Sequence, residues 1–415
     1  MKKWIALSVA VGLVVMCTAS FATTELRILT VWGGERKTHL DRVFKEYQGT
    51  HPGIKISHEI CAGTGAGTYQ EVLQVAIGSG TAPDIFFEWG GELAGFFIDA
   101  RTVEPMERYW EKYNWDEMIL PWAKQLITRN GKVWGCPHAL QGMSFWYRVD
   151  LWNKLGLSEP QSYEELETLC EKTKAAGIYP LSLAGKYGWM TMRLLDYLIE
   201  VRCGPELHDK LVSLETNWDR PEVVKAYQTF KKWVDQWIVP GFLPLSPDDA
   251  RMPMYGGKAL MVFEGNWMET VFKADGQDVH NFDFFIHPTD HKPLRVAGFP
   301  EQFMISASSK HKDEAAELIN WLVQPELMNR EYGKAFASTA TIGVAPDKEE
   351  LPSSYKWRKA LEYVGIWKLT DQALKSELLH TFFELQDKIV LGEITPEQAV
   401  KRMQKAVIEW KNKEE

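Results

Sequence analysis

The chain has 415 residues, 45% of them hydrophobic, enough for two or three domains with full cores, which excludes a disordered chain. Its formal net charge of -9 repels polyanions, so nucleic acid and an anionic membrane face are excluded as partners, and a neutral or cationic small ligand fits better. Eighteen tryptophans must pack, stack on a ligand, or do both, since each carries a broad apolar face with one N–H at its rim.

Residues 1–22 read as an export signal. Lys2 and Lys3 precede an apolar run from Ile5 to Met16, shorter than the roughly 20 residues a spanning helix needs, and Ser20-Phe21-Ala22 predicts cleavage after Ala22. The alternative is lipidation of Cys17, although Val15-Met16 match poorly the small residues usual before such a cysteine. Export leaves Cys61, Cys136, Cys170 and Cys203 where disulfides are permitted; no CxxC occurs, and two bridges, one bridge and four thiols all stay open. His287 and His291 are four apart, but Pro288 breaks the helix that would aim them at a metal, and no metal signature is present.

Leu26–Val31 reads as a strand. A helix follows with Leu40, Val43, Phe44 and Tyr47 on one face and Thr38 as its N-cap, ending before the Gly49–Gly53 turn. Ile54–Ile60 is a second strand, a helix runs from about Tyr69 to Gly78-Ser79-Gly80, and Asp84–Phe87 is a third strand, with Asp84 capping or orienting its loop. This alternation predicts a parallel α/β sheet, whose ligands sit beyond the carboxyl ends of the strands. Trp32-Gly33-Gly34-Glu35 and Glu88-Trp89-Gly90-Gly91 both fall at such ends. Glycine lets backbone approach a ligand closely and carboxylates accept hydroxyl protons. Either tryptophan alone serves equally well as a core cap; the pair, with two glutamates, favours a ligand. If Trp32 stacks on that ligand, Trp32→Ala should leave the melting temperature of the empty protein nearly unchanged.

Beyond Trp115, Lys132–Pro137 and Met143–Arg148 read as two short strands, followed by a helix over Leu151–Leu155. Ser162-Tyr163-Glu164-Glu165 is a capping box opening a helix to about Ala176, and Pro221 opens another. Gly257–Phe263, Phe282–Ile286 and Val296–Ser306 return to strands, Ala315–Val323 is helical, and Thr395-Pro396 start the last helix of a helical tail. The pattern suits two lobes that the chain crosses more than once.

In this order, several stretches resemble the extracellular solute-binding proteins of ABC sugar importers, the maltose-binding-protein-like group. They are Trp32-Gly33 with Thr50–Lys55, Ser79–Asp84, Gly131–Pro137, Tyr147–Trp152, Gly257–Met261 with Gly265–Trp267, and Gly392–Glu397. Arg148, where that group often has Asn, and Cys136, where it has an apolar residue, depart from the pattern. The resemblance implies an α/β, two-lobed periplasmic-binding-protein fold of type II, with lobes of 23–128 plus about 288–335 and 129–287 plus about 336–415. It implies a sugar bound between the lobes, hinge closure and delivery to ABC permease subunits by a monomer outside the cytoplasmic membrane, with no catalysis, cofactor or metal. By position, the site residues are Trp32, Gly33, Glu35, Glu88 and Trp89 from the first lobe. His138, Gln141, Trp189, Asn266 and Trp267 come from the second, and Phe299 and Glu301 from a connecting turn. Two rivals remain: a cage for a cationic or peptide ligand, and a glycoside-processing enzyme using Glu35 and Glu88 as its carboxylate pair.

Overall fold

The computed structural model describes residues 23–61, 66–361 and 363–414, so the export signal and Cys17 lie outside the described residues. The first half follows the predicted alternation: β1 (Thr24–Thr30), α1 (Gly34–Thr50), β2 (Ile54–Ile60), α2 (Ala66–Gly78), β3 (Ile85–Trp89) and α3 (Gly91–Asp99). β1 runs parallel to both β2 and β3. The start of α1 differs from expectation. Gly33 is its N-cap, and Thr38 sits inside the helix, donating its hydroxyl to the Gly34 carbonyl. Leu40, Val43, Phe44 and Tyr47 form its buried stripe, as their spacing requires. Asp84 does orient its loop: its carboxylate accepts from the Arg27 amide and the Ser309 hydroxyl.

The remaining strands are β4 (Thr128–Arg129) and β5 (Lys132–Val133), a small separate ladder, then β6 (Cys136–Arg148), β7 (Tyr179–Ser182), β8 (Ala259–Gly265), β9 (Phe282–Phe285), β10 (Arg295–Ile305) and β11 (Gly365–Lys368). One nine-stranded sheet runs β2-β1-β3-β10-β6-β8-β7, with β11 beside β10 and β9 beside β6. β6 is a single strand where two were expected. It is buried from Cys136 to Tyr147, and burial on both faces erases the alternation that would reveal continuity.

β6 and β10 tie the lobes together. They run antiparallel, and Gly142 pairs with Gly298 where they cross. A Cβ on Gly298 would lie 2.7 Å from the Gln141 carbonyl oxygen, and one on Gly142 would lie 2.9 Å from the Trp357 ring, so this crossing requires two glycines. Asn266 braces it: its amide donates to the Leu140 carbonyl (3.2 Å) and accepts from the Gly142 N–H (3.1 Å).

Apolar side chains gather in two main cores. Leu26, Phe87, Leu140, Phe303 and Phe336 belong to the first, and Phe145, Trp233, Phe263, Phe299 and Leu369 to the second. Several side chains pack across the expected lobe boundaries. Val133, Cys136 and Leu140 from 129–140, and Phe336, Val344 and Leu351 from 336–351, pack in the first core, while Ala297 and Phe299 pack in the second. A long strand shared by two lobes shows no local signal at the residue where it passes between them.

An ionic cluster also spans the lobes. Arg129 donates to both oxygens of Asp99 (3.0 and 2.7 Å) and to Glu92 (2.8 Å). Lys375, at the start of the helix Ser376–Val390 in the second lobe, reaches the same Glu92 at 2.7 Å. Nearby, Gly91 (φ +67°) lies so close to the Gln372 carbonyl oxygen that a Cβ would stand 2.0 Å from it.

Candidate functional site

A cavity of about 860 Å³ lies between the lobes. Trp32, Gly33, Glu35 and Trp89 line it from the edge of the first sheet, Gln141, Phe299 and Glu301 from the crossing strands, and Trp189 and Trp267 from the second lobe.

The first wall is built where β1 gives way to α1. Trp32 sits edge-on to Phe87 (4.7 Å) and His138 (5.1 Å) and is 8% exposed. From the first turn of α1, the guanidinium of Arg36 lies over the indole at 3.9 Å. Arg36 Nε donates to the Ala335 carbonyl, while its Nη2, 3.6 Å from Glu301 Oε2, has no hydrogen-bond partner. Burial pushes Arg36 down to about 10 against the pull of Glu301. Burial acts to raise the Glu301 carboxyl, yet His138 and Arg36 beside it carry it below the ordinary value. The ladder of β6 and β10 slips by one residue here, leaving His138 as the extra residue of a bulge that turns it in under Glu301.

The second wall repeats this construction. Gly188 (φ +75°) caps the helix Trp189–Val212, and one turn on, Arg193 lies over the Trp189 ring at 4.1 Å, with Trp267 at 5.3 Å and Phe299 at 5.5 Å. Arg193 Nη1 is 3.7 Å from Glu264 Oε2, and neither atom has a hydrogen-bond partner. Trp267 lies against Gly265, where a Cβ would meet its ring at 2.0 Å. Burial lowers Arg193, raises Glu264, and raises Asp371, beside them, to about 6.

Three expected residues stand elsewhere. Glu88 is fully buried, because successive side chains on β3 point to opposite faces and Trp89 takes the cavity side. Both Glu88 oxygens accept from Gln70 Nε2 (2.7 and 2.8 Å), one also from the Trp89 N–H, and burial pushes the carboxyl up to about 8. His138 lies behind Trp32, stacked on Phe303 at 4.6 Å, and burial lowers its pKa. Asn266 is consumed in bracing the crossing strands. Trp32 lines the cavity but is chiefly wall, its face covered by Arg36.

Arg36, Arg193, Glu264 and Asp371 were missed. A signal existed for two of them: Gly precedes or follows a Trp with Arg four residues on, at Trp32/Arg36 and Trp189/Arg193, and the second pair are neighbours within one helix. Among the described residues no group of His, Cys, Asp or Glu could hold a metal, and no helix is long and apolar enough to cross a membrane. No two of Cys61, Cys136, Cys170 and Cys203 are joined in a disulfide.

Residues 34–329 match the bacterial extracellular solute-binding protein family. The chain is 25% identical over 314 residues to an uncharacterized ABC transporter extracellular-binding protein of Pyrococcus horikoshii, spanning 74% of this chain and 69% of that one. It is 23% identical to the multiple sugar-binding protein of Streptococcus mutans, over 76% and 74% of the two chains. A structure solved in work on xylan utilization by Caldanaerobius polysaccharolyticus superposes with a TM-score of 0.83 at 24% identity, over 92% of this chain and 99% of that one. That likeness bears out the two-lobed α/β fold.

Proposed function

The chain belongs to the bacterial extracellular solute-binding proteins, and from that premise we propose that it is the capture component of an ABC sugar importer. It takes a mono-, di- or short oligosaccharide outside the cytoplasmic membrane, closes on it about the Gly142–Gly298 crossing, and presents the closed form to permease subunits. It acts as a monomer, held at the membrane if Cys17 carries lipid. The lobes comprise about 23–141 with 300–351, and about 143–298 with 353–414.

One observation carries the reading. In a single cleft, the rings of Trp89, Trp189, Trp267 and Phe299 converge with buried polar atoms that have no partner in the protein: Arg36 Nη2, Gln141 Oε1, Glu301 Oε2, Arg193 Nη1, both Glu264 oxygens and Asp371 Oδ1. A sugar presents apolar C–H faces to rings and hydroxyl edges to exactly such donors and acceptors, and buried polar groups demand partners. The name of the Streptococcus mutans relative and the xylan context of the solved structure point the same way.

A cation cage is disfavoured because the faces of Trp32 and Trp189 already carry the protein's own guanidiniums. Capture without turnover fits better than hydrolysis: Glu88 is outside the cavity and so forms no carboxylate pair with Glu35, and Glu264 and Glu301 each stand beside an arginine.

A thermal-shift screen of residues 23–415 against xylobiose, cellobiose, maltose, raffinose, spermidine and short peptides tests this. A ligand specific to the folded state adds about 2.7 kcal/mol at a hundredfold excess over Kd. A shift with one or more sugars, recovered unchanged after incubation, is the expected result; a shift with spermidine or peptide alone, or hydrolysis of the sugar, would overturn it.

A further inference from the structure

We infer that the cleft reads its ligand through two matched units on opposite walls, Trp32–Arg36–Glu301 and Trp189–Arg193–Glu264, each gripping two neighbouring hydroxyls of an uncharged sugar. The inference rests on the sugar reading above and specifies which ligand atoms decide affinity.

The units share one construction. Each begins at a glycine-flanked helix start, Trp32 just before the N-cap Gly33 and Trp189 just after the N-cap Gly188; each lays an arginine over the tryptophan four residues earlier, at 3.9 and 4.1 Å, and each sets that guanidinium beside a glutamate at 3.6 and 3.7 Å. All four charged side chains line the cavity, and in each unit the facing atoms, Arg36 Nη2 with Glu301 Oε2 and Arg193 Nη1 with Glu264 Oε2, lack a hydrogen-bond partner, Glu301 Oε2 having His138 Nε2 as a further neighbour at 3.5 Å.

The spacing is informative. Open pairs elsewhere in this protein lie nearer solvent, as Arg202–Glu167 at 3.8 Å and Arg220–Glu222 at 3.7 Å, whereas a buried structural pair, Arg295–Glu200, closes to 2.9 Å. Such closed forks are the strong form of the contact. The two cleft pairs stay open, although the tryptophan beneath each guanidinium fixes its plane and burial raises the cost of leaving donors and acceptors unmet.

The chemistry of the open pair selects its ligand. A guanidinium only donates and a carboxylate only accepts, whereas a hydroxyl does both. Two adjacent hydroxyls complete the unit: one accepts from arginine, its neighbour donates to glutamate. An ammonium group satisfies the glutamate and meets the arginine as a like charge; a carboxylate satisfies the arginine and repels the glutamate. With one unit on each wall, only a polyol carrying hydroxyl pairs on two edges engages both, and that engagement draws the lobes together.

The test is calorimetric titration of residues 23–415 with xylobiose, cellobiose, maltose and raffinose, and with two charged disaccharides, the chitosan dimer and digalacturonate. The strongest neutral binder is then titrated into Arg36→Lys, Arg193→Lys, Glu264→Gln and Glu301→Gln, with melting temperatures recorded for each empty variant. The expected result is at least a tenfold loss of affinity in every variant that melts normally, about a hundredfold in the Arg36→Lys/Arg193→Lys double variant because the units are separate, and both charged disaccharides bound more weakly than the best neutral sugar. Variants that bind within twofold of the parent would overturn the inference while leaving the sugar reading intact. So would tighter binding of digalacturonate or chitosan dimer than of every neutral sugar, a comparison that needs no variant. Silence of the parent protein toward all the sugars would overturn the sugar reading itself.

Discussion

Replacing Trp32 with alanine separates wall from platform. The indole is 8% exposed and packs edge-on against Phe87, His138 and Phe303, with Arg36 over its face. A tryptophan buries about 150–250 Å², which at ~25 cal/mol per Å² is an upper bound of about 4–6 kcal/mol. Measured losses for such truncations in cores run about 3–5 kcal/mol, and the loss of the stacked cation adds up to about 2 kcal/mol. A value of about 4 kcal/mol in the first lobe lowers its melting temperature by about 8–16 °C for a unit of this size. Differential scanning calorimetry of the empty protein measures it, with Trp267→Ala as the comparison, because Trp267 is only partly buried. Trp267→Ala should cost less stability and more affinity. A Trp32→Ala protein that melts within about 2 °C of the parent, yet no longer binds sugar, would refute the description of Trp32 as wall.

Asn266→Leu should destabilise by about 1–3 kcal/mol, read as a fall in urea midpoint, since it strands the buried Gly142 N–H; the Leu140 carbonyl keeps the Ser338 hydroxyl. Gly91→Ala should lower the melting temperature and widen the lobes in small-angle scattering, because its φ is +67° and its new Cβ meets the Gln372 carbonyl; curves and melts that superimpose on the parent's would contradict that packing. Glu88 titrates near 8 folded and near its ordinary 4.5 unfolded, so between those values the unfolded chain holds fewer protons and the group's contribution to stability falls as pH rises. Glu88→Gln removes that loss: its stability relative to the parent should climb from pH 5 to pH 8 in urea titrations, and a constant difference would show that Glu88 stays ionised.

The parallel half of the fold was legible because its strands and helices alternate with clear turns, and the stripe Leu40, Val43, Phe44, Tyr47 has only one way to face a core. Trp89, Trp189 and Trp267 could be placed at the cleft from their positions beyond strand ends or beside glycines. Glu88 could not be excluded, because adjacent residues at a strand end look equally available until the face of the sheet is known. Asn266 looked like a ligand contact for the same reason that it is a brace: an amide offers both a donor and an acceptor, and backbone took both. The helix Trp189–Val212, kinked at Gly204 before Pro205, went unread, since it is buried nearly all round and carries little amphipathic signal. Arg36 and Arg193 were passed over because an acidic chain does not suggest that its ligand site is organised around cations.

The cluster of Arg129, Glu92, Asp99 and Lys375 gives the interval between the lobes a property that the strand crossing lacks. Lys375 is partly exposed where it reaches across to α3, so dissolved ions weaken its hold over a distance of about 8 Å at physiological ionic strength. The Gly142–Gly298 crossing is backbone pairing inside the sheet and is indifferent to salt. Raised ionic strength is thus expected to loosen this contact between the lobes while leaving the strand crossing untouched. A neutral ligand, which has no charge of its own for salt to screen, is then expected to show a salt-dependent affinity through a lysine outside its cleft.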